Sequence, residues 1–272
     1  MATPRGFLRN DPDVAGATRI LGVGRGPVLV TGGSRGMGAE IARGLARRGI
    51  TVCINHSASD ADAQAVCDGI RAEGGTAIAL KTDLSDPAAI VAMFASLDAQ
   101  LGPVTGLVNN AAFTGLAGRR VEDADAAVLH RTFAVNVIAP FLCAREALRR
   151  MLVKHGGRGG RIVNVSSIAS RTGSANDFVD YAASKAALDT FTFGLAREVA
   201  TESVQVNGVA PGLVNTDIHQ RAGDAGRLAR ITAAVPAGRP GEAAEIANVV
   251  VWLLTDAPDY IHGATIPVSG GL

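Results

Sequence analysis

Several residue types that carry chemistry are scarce in this chain of 272 residues, and each scarcity excludes a class of protein. The three cysteines, Cys53, Cys67 and Cys143, fall inside expected regular elements without metal-type or redox-type spacing. They read as reduced core residues of a cytoplasmic protein. The five histidines are scattered and no pair has ligand spacing, so no metal site is expected. No apolar run approaches the ~18 residues that span a bilayer; the longest candidate, Val249 to Leu254, suits a buried stretch. A net charge of +1 gives no general case for nucleic acid or a membrane surface as partner. With 47% apolar and 19% charged residues, the chain has the composition of a folded globular protein. Residues 1–26 lack periodicity and an apolar h-region, so they read as a mobile N-terminal arm and not as a secretory signal.

Tyrosine and lysine are also rare, with two tyrosines (Tyr181, Tyr260) and three lysines (Lys81, Lys154, Lys185). Against that background Tyr181-Ala-Ala-Ser-Lys185 is informative, because an i, i+4 pair lies on one helix face. An ammonium fixed beside a phenol favours the phenolate and lowers a pKa that starts near ~10. Such a pair makes a general acid/base for neutral pH. The plainer reading is a surface tyrosine packed along a lysine stem.

Apolar or β-branched runs alternate with helical patterns along residues 27–272. Strands are expected at 28–31, 51–55, 76–81, 106–109, 161–166, 204–210 and 265–268. Helices are expected at 36–48, 60–73, from Pro87, and at 122–153, 178–202 and 242–255. Apolar strands alternating with helices signal an α/β fold, an open doubly wound parallel sheet in a single domain. Ligands of such sheets bind at the carboxyl ends of the strands. The segment 213–235 lacks a clear strand and reads as a lid over that edge.

Thr31-Gly32-Gly33-Ser34-Arg35-Gly36-Met37-Gly38 follows the first strand and opens the first helix. Glycines there allow a tight turn and close approach of backbone to phosphate, and the helix N-terminus favours an anion. Gly32, Ser34, Arg35, Gly36, Met37 and Gly38 are therefore candidate dinucleotide contacts. An acidic residue usually ends the second strand and holds the adenosine ribose. Here that strand ends Ile54-Asn55-His56-Ser57, with no carboxylate before Asp60. The missing acid removes a repulsion, and Arg35 offers a guanidinium to a 2′-phosphate. Asn55, His56 and Ser57 thus join the candidate contacts, and NADP(H) is favoured over NAD(H).

Taken in order, Thr31-Gly-x-x-x-Gly-x-Gly38, Asp83-Leu84, Asn109-Asn110-Ala111-Ala112, Asn136, Ser167, Tyr181-x-x-x-Lys185 and Pro211-Gly212 with Thr216 resemble the compact, single-domain short-chain dehydrogenase/reductases. The likeness covers Val28 to the C-terminus and lies toward glucose dehydrogenase-like and 3-oxoacyl-carrier-protein reductase-like members. It implies a Rossmann-type seven-stranded parallel sheet, a nicotinamide cofactor and a homotetramer. By the same resemblance Asp83 and Leu84 flank adenine, Asn110 and Ala111 line the adenosine ribose, and Asn109 braces the fourth strand. Pro211, Gly212, Val214 and Thr216 hold the nicotinamide end. Ala112 stands where the family usually has glycine, and its methyl group is expected to crowd the cofactor ribose or the neighbouring strand. Ser167 and Tyr181 are one residue further apart than is commonest, and Ser269 replaces an aspartate often found there.

The mechanism implied is interconversion of a carbonyl and a secondary alcohol. Tyr181 exchanges the proton, Lys185 lowers the Tyr181 pKa and binds the nicotinamide ribose, Ser167 holds the substrate oxygen, and Asn136 holds a water. Ser166 competes with Ser167, and the residue leaving the strand is preferred. The alternative is a non-catalytic NADP(H)-sensing protein on the same fold; an extended sugar-nucleotide enzyme would need a larger C-terminal region. The substrate is a small carbonyl or alcohol. Ile218, His219, Arg221, Leu228 and Arg230 of the lid, and Asn176, Asp177, Phe178 and Asp180 before Tyr181, are the residues expected near it. Arginines 145, 149, 150, 158 and 161 suit an acidic carrier protein or, more simply, a solvated face. Apolar stretches on helices 122–153 and 178–202 suit a symmetric contact between subunits, or else face their own sheet.

Overall fold

Short runs of aliphatic residues, buried on both faces, make the strands. β1 is Val28–Val30, β2 Val52–His56, β3 Ala77–Lys81, β4 Gly106–Asn109, β5 Gly160–Val165 and β6 Val204–Pro211. Short strands β7 (Val214–Asn215) and β8 (Gly241–Glu242) precede β9 (Thr265–Val268). The computed structural model describes residues 26–217, 222–224 and 226–272. The expected mobile arm, apart from Gly26, and Ile218, His219 and Arg221 of the lid lie outside the described residues.

Seven strands form one parallel sheet in the order β3-β2-β1-β4-β5-β6-β9. β1 lies between β2 and β4, so the chain reverses its direction of winding beside β1. A crevice opens there at the carboxyl ends of the strands. Helices α1 (Gly36–Ala46) and α2 (Asp60–Ala72), with the late helix Ala243–Thr255, cover one face. Helices α3 (Pro87–Leu101), α5 (Ala139–Met151) and α7 (Val179–Val199) cover the other. Pro87 occupies the first turn of α3, and Asp86 caps it by accepting from the Ala88 N–H at 2.8 Å.

The expected helix at 122–153 is two α-helices, α4 (Ala126–Phe133) and α5, joined by a π-turn at Ala134–Ile138. Together they form the one stretch among the described residues, Ala126–Met151, long and apolar enough to cross a membrane by length and composition. Counting unbroken apolar runs missed it because His130, Arg131, Arg145 and Glu146 interrupt the run. In the fold it is a sheet-covering helix, with Cys143, Ala147 and Met151 fully buried. Its outer face is apolar too: Phe133, Ile138 and Phe141 are 39%, 50% and 48% exposed, as is Phe193 of α7 at 53%. Phe141 stacks on Phe191 of α7 at 3.7 Å between ring centres.

The segment 213–235 differs from expectation in holding a strand. β7 pairs in parallel with β8, and a short helix α8 (Arg227–Thr232) follows. Two-residue strands are too short to leave a period in sequence. The short helix α6 (Ala169–Thr172), just after β5, was also unforeseen.

Candidate active site

The glycines of the turn between β1 and α1 stand where backbone conformation or close approach requires them. Gly32 and Gly36 have φ of +64° and +51°, the left-handed region that glycine enters without strain. A Cβ on Gly38 would lie 2.2 Å from the Gly32 carbonyl oxygen, so the helix N-terminus can approach its own turn only as glycine. Below this turn runs a cavity of about 530 Å³. It is lined by Gly32, Ser34, Arg35, Gly36, Met37 and Gly38, by Asn55, His56 and Ser57, by Asp83, Leu84, Asn110, Ala111 and Ala112, and by Tyr181, Lys185 and Thr216. An elongated groove with a glycine cradle and a helix N-terminus at its centre fits a dinucleotide.

At the β2 end of the groove, Arg35 donates to the Ser59 hydroxyl at 2.9 Å and pairs with Asp217 at 3.4 Å. Asn55 is buried and structural: its carbonyl accepts from the Gly32 N–H at 3.4 Å and its amide donates to the Thr82 carbonyl at 3.0 Å. His56 is buried with Nε2 3.0 Å from the Asp60 carboxylate. Lys81 and His56 both hold that carboxyl below the usual range.

Asp83 accepts from the Ser85 N–H and hydroxyl at 2.9 and 2.8 Å, and these bonds hold its carboxyl low. The Thr31 hydroxyl accepts from the Asn110 and Ala111 N–H groups at 2.9 and 3.1 Å, and Asn110 donates back to the Thr31 carbonyl at 2.9 Å. This locks the end of β4 to the end of β1. Asn109 points the other way, into a buried chain through Asn164 to Thr192. Ala112 is exposed along the cavity wall, so its methyl group bears on the groove and not on a packed strand.

A second cavity of about 360 Å³ opens beyond Tyr181. The two cavities share Met37, Ser166, Tyr181 and Thr216. Pro211, Gly212, Val214 and Ser167 line the second cavity alone. Every expected cofactor contact therefore lies on one cavity or the other, with Tyr181 where they meet.

Around Tyr181 burial dominates. It pushes the phenol up to about 12, and a hydrogen bond from Ser167 offsets part of that rise. The expectation that Lys185 lowers this pKa is not met in this state. Lys185 is 2% exposed, and its nitrogen lies 5.6 Å from the Tyr181 ring centre and donates to the Val165 carbonyl at 2.8 Å. Burial pulls its ammonium down to about 8, against a smaller opposing effect of Asp189. Enclosure disfavours charge on both, on Lys185 almost fully buried and on Tyr181 partly exposed where the cavities meet, and a motif read from spacing cannot register that. Ser166 is turned inward and donates to the Lys185 carbonyl at 3.3 Å, whereas the Ser167 oxygen accepts from the Ala169 N–H at 3.1 Å and reaches Tyr181.

Asn136 sits in the π-turn, is fully buried and lines neither cavity. Its amide donates to the Phe113 carbonyl and the Ser184 hydroxyl at 2.8 and 3.0 Å, and its carbonyl accepts from the Phe113 N–H at 2.8 Å. Ser184 in turn donates to the Tyr181 carbonyl at 2.7 Å. Both amide hydrogens are thus taken by protein, and this side chain braces the tyrosine's helix against the loop after β4. π-turns are frequent at functional sites.

The residues expected around the substrate divide. Asp177 and Phe178 line the second cavity, while Asp180 is turned to Arg119 in a half-buried ion pair at 2.9 Å. Arg230 pairs on the surface with Asp224. The basic group in the cavity is instead Arg227, which sequence reasoning passed over. It pairs with Asp177 and lies 4.8 Å over the Phe178 ring, and burial lowers its guanidinium pKa. Ser59, Arg131 and Asp217 on the nucleotide groove were also missed. Only Asp217, next to Thr216 of the motif, carried a signal. Arg161, counted among possible surface arginines, is 4% exposed and bonded to Asp259 and the Leu253 carbonyl. Arg145, Arg149 and Arg150 all converge on Glu146. All three cysteines are buried and free, and burial raises their thiol pKa values. Among the described residues no group of three His, Cys, Asp or Glu is placed to hold a metal.

A family model described as enoyl-(acyl carrier protein) reductase matches residues 32–272. The uncharacterised oxidoreductase YgfF of Escherichia coli K12 is 46% identical over 245 residues, 89% of this chain and 98% of that protein. The 3-oxoacyl-[acyl-carrier-protein] reductase FabG of the same organism is 40% identical, over 90% of this chain and 96% of its own length. A blue fluorescent protein from a metagenomic library, solved in complex with NADPH, superposes with a TM-score of 0.83 at 33% identity, covering 92% of this chain and 99% of its own. A short chain dehydrogenase from Burkholderia cenocepacia J2315, solved with NADP, gives 0.80 at 33% identity, covering 90% and 96%.

Proposed function

The chain belongs to the short-chain dehydrogenase/reductase family, and from that premise we propose that it interconverts a small carbonyl compound and a secondary alcohol with NADP(H). The observation that carries this reading is the position of Tyr181 at the junction of the two cavities, with Ser167 bonded to it and Lys185 behind its ring. Membership in an oxidoreductase family carries the oxidoreductase reading, and the related structures solved with NADP and NADPH carry the cofactor. The cofactor, when bound, would give a hydride to the carbonyl carbon or take one from the carbinol carbon.

The chain's own residues do the rest. Ser167 orients the substrate oxygen and stabilises its charge. Tyr181, held protonated by burial, gives its proton to that oxygen in the reductive direction. Lys185 supplies a buried ammonium beside the ribose end of the groove, and the Asn136 side chain holds Tyr181's helix in register. Gly32, Gly36 and Gly38 would present backbone to the pyrophosphate. Arg35 would hold a 2′-phosphate, and no carboxylate ends β2 to oppose it. Phe178, Arg227 and Ile231 enclose the substrate.

A spectrophotometric screen of ketones and secondary alcohols with NADP(H) and NAD(H) tests this reading. Turnover with at least one carbonyl and preference for NADPH are expected. Binding of NADPH with no turnover across the screen would instead favour a nucleotide-sensing protein.

A further inference from the structure

Two charged side chains line the second cavity among the described residues, and they neutralise each other. Asp177, from the loop before α7, pairs with Arg227 of the short helix α8, and the two are 19% and 13% exposed. Asp177 also accepts from the Gly118 N–H at 3.1 Å, so its carboxylate is fixed from a third segment, the loop after β4. The Arg227 guanidinium lies 4.8 Å over the Phe178 ring. Its Nε and Nη1 are buried, which turns those donors to the wall and away from a ligand. Among the described residues the other side chains of the wall are uncharged. Met37, Ile168, Leu213 and Ile231 supply apolar surface there, and Thr114 and Thr172 carry hydroxyls.

We propose that this cavity takes an uncharged carbonyl compound with apolar substituents, and that Asp177 enforces the choice by cancelling Arg227, the cation an anionic substrate would otherwise use. The inference rests on the oxidoreductase reading above and adds a substrate class to it. An anion entering the cavity gives up its water. It finds Arg227 already paired and Asp177 beside it, so it gains no counter-charge and meets a fixed carboxylate in a poorly solvated wall. A neutral ketone or aldehyde of the same shape bears neither cost. Its carbonyl oxygen still reaches Ser167 and Tyr181, which line the same cavity. Discrimination here works by what the pocket refuses, through a charge that an anion cannot satisfy. The pair also joins α8 to the loop before Tyr181, so the segment that closes the cavity carries the residue that is cancelled.

Two matched pairs of ketones, offered to the full chain with NADPH at neutral pH, test the proposal: methyl levulinate against levulinate, and methyl para-acetylbenzoate against para-acetylbenzoate. Each compound is read as a substrate, by kcat/KM, or as a competitive inhibitor of the best carbonyl from the screen. The wild type is expected to favour each ester over its acid by roughly 100-fold. Asp177→Asn keeps the acceptor for the Gly118 N–H and removes the charge. It is expected to raise the acid roughly tenfold relative to the ester. Arg227→Gln leaves the Asp177 carboxylate without its counter-ion and is expected to lower the acid roughly tenfold relative to the ester. Opposite shifts separate an effect of charge from damage to the cavity, which would depress ester and acid together. Equal use of acid and ester by the wild type would overturn the role of the pair while leaving the oxidoreductase reading intact, as would ratios unchanged, or moved the same way, in both variants. Esters that neither react nor compete, beside other carbonyls that react, would overturn the substrate class alone. No reduction of any carbonyl would overturn both.

Discussion

The Lys185 ammonium lies 5.6 Å from the centre of the Tyr181 ring and is anchored to the Val165 carbonyl at 2.8 Å. Lys185 is therefore held by a strand end that no reading of Tyr-x-x-x-Lys would name. Its charge is costly there, because burial brings its pKa down to about 8 from an ordinary 10.5.

That cost has a sign and a pH window. Between pH 8 and 10.5 the unfolded chain binds more protons at this lysine than the folded one, so this group's contribution to stability rises with pH through that window. Below it the penalty is fully present, about 3 kcal/mol from the size of the shift. Lys185→Met removes the penalty and loses the bond to Val165, worth about 1 kcal/mol at any pH. Urea unfolding is expected to show the variant gaining on the wild type at pH 7, with the advantage gone by pH 10.5. A difference independent of pH would contradict the assignment.

Ser166 and Ser167 are adjacent in the chain but have different hydrogen-bond partners. Ser167→Ala is expected to lower kcat by about 10²-fold with the fold intact. It also removes the bond that offsets the phenol's rise, so the alkaline limb of the rate profile moves to higher pH. Ser166→Ala, which loses an inward bond to the Lys185 carbonyl, is expected to cost about 1 kcal/mol of stability and little turnover. Reversal of the two outcomes in parallel kinetics and melts would reassign the substrate-binding serine.

Arg35 is shared between Ser59 and Asp217 across the nucleotide groove. Arg35→Gln is expected to weaken NADPH binding by roughly 10- to 100-fold and NADH binding much less, measured by fluorescence titration. Equal losses for both nucleotides would place the guanidinium on the pyrophosphate instead.

The exposed phenylalanines of the outer helical face bear on assembly. Four copies of a 27.7 kDa chain are expected by light scattering, and Phe141→Glu with Phe193→Glu is expected to lower that mass. A monomeric wild type would leave these side chains facing solvent without that role.

Much of this fold was legible in the sequence because its strands are buried on both faces and so read as unbroken apolar runs between helical patterns. The glycine turn was legible for a related reason: a Cβ on Gly38 would collide with the Gly32 carbonyl, and Gly32 itself has a left-handed backbone. β7, β8, α6 and the π-turn were not, since two-residue strands and single helical turns repeat no pattern that would announce them. Nor was the pairing of Arg227 with Asp177, which lie fifty residues apart and meet only through the fold. The pKa of Tyr181 was misjudged for a different reason. Spacing reports the neighbouring charge, whereas burial, the largest influence on the phenol here, exists only in three dimensions.

The most direct measurement is single-turnover reduction by Tyr181→Phe, with the best carbonyl from the screen, beside NADPH binding by the same variant. NADPH affinity within a few fold of wild type and a rate lower by about 10²–10⁴ are expected, since only the proton donor is lost. An unchanged rate would contradict the role given to Tyr181 and with it the proposed chemistry.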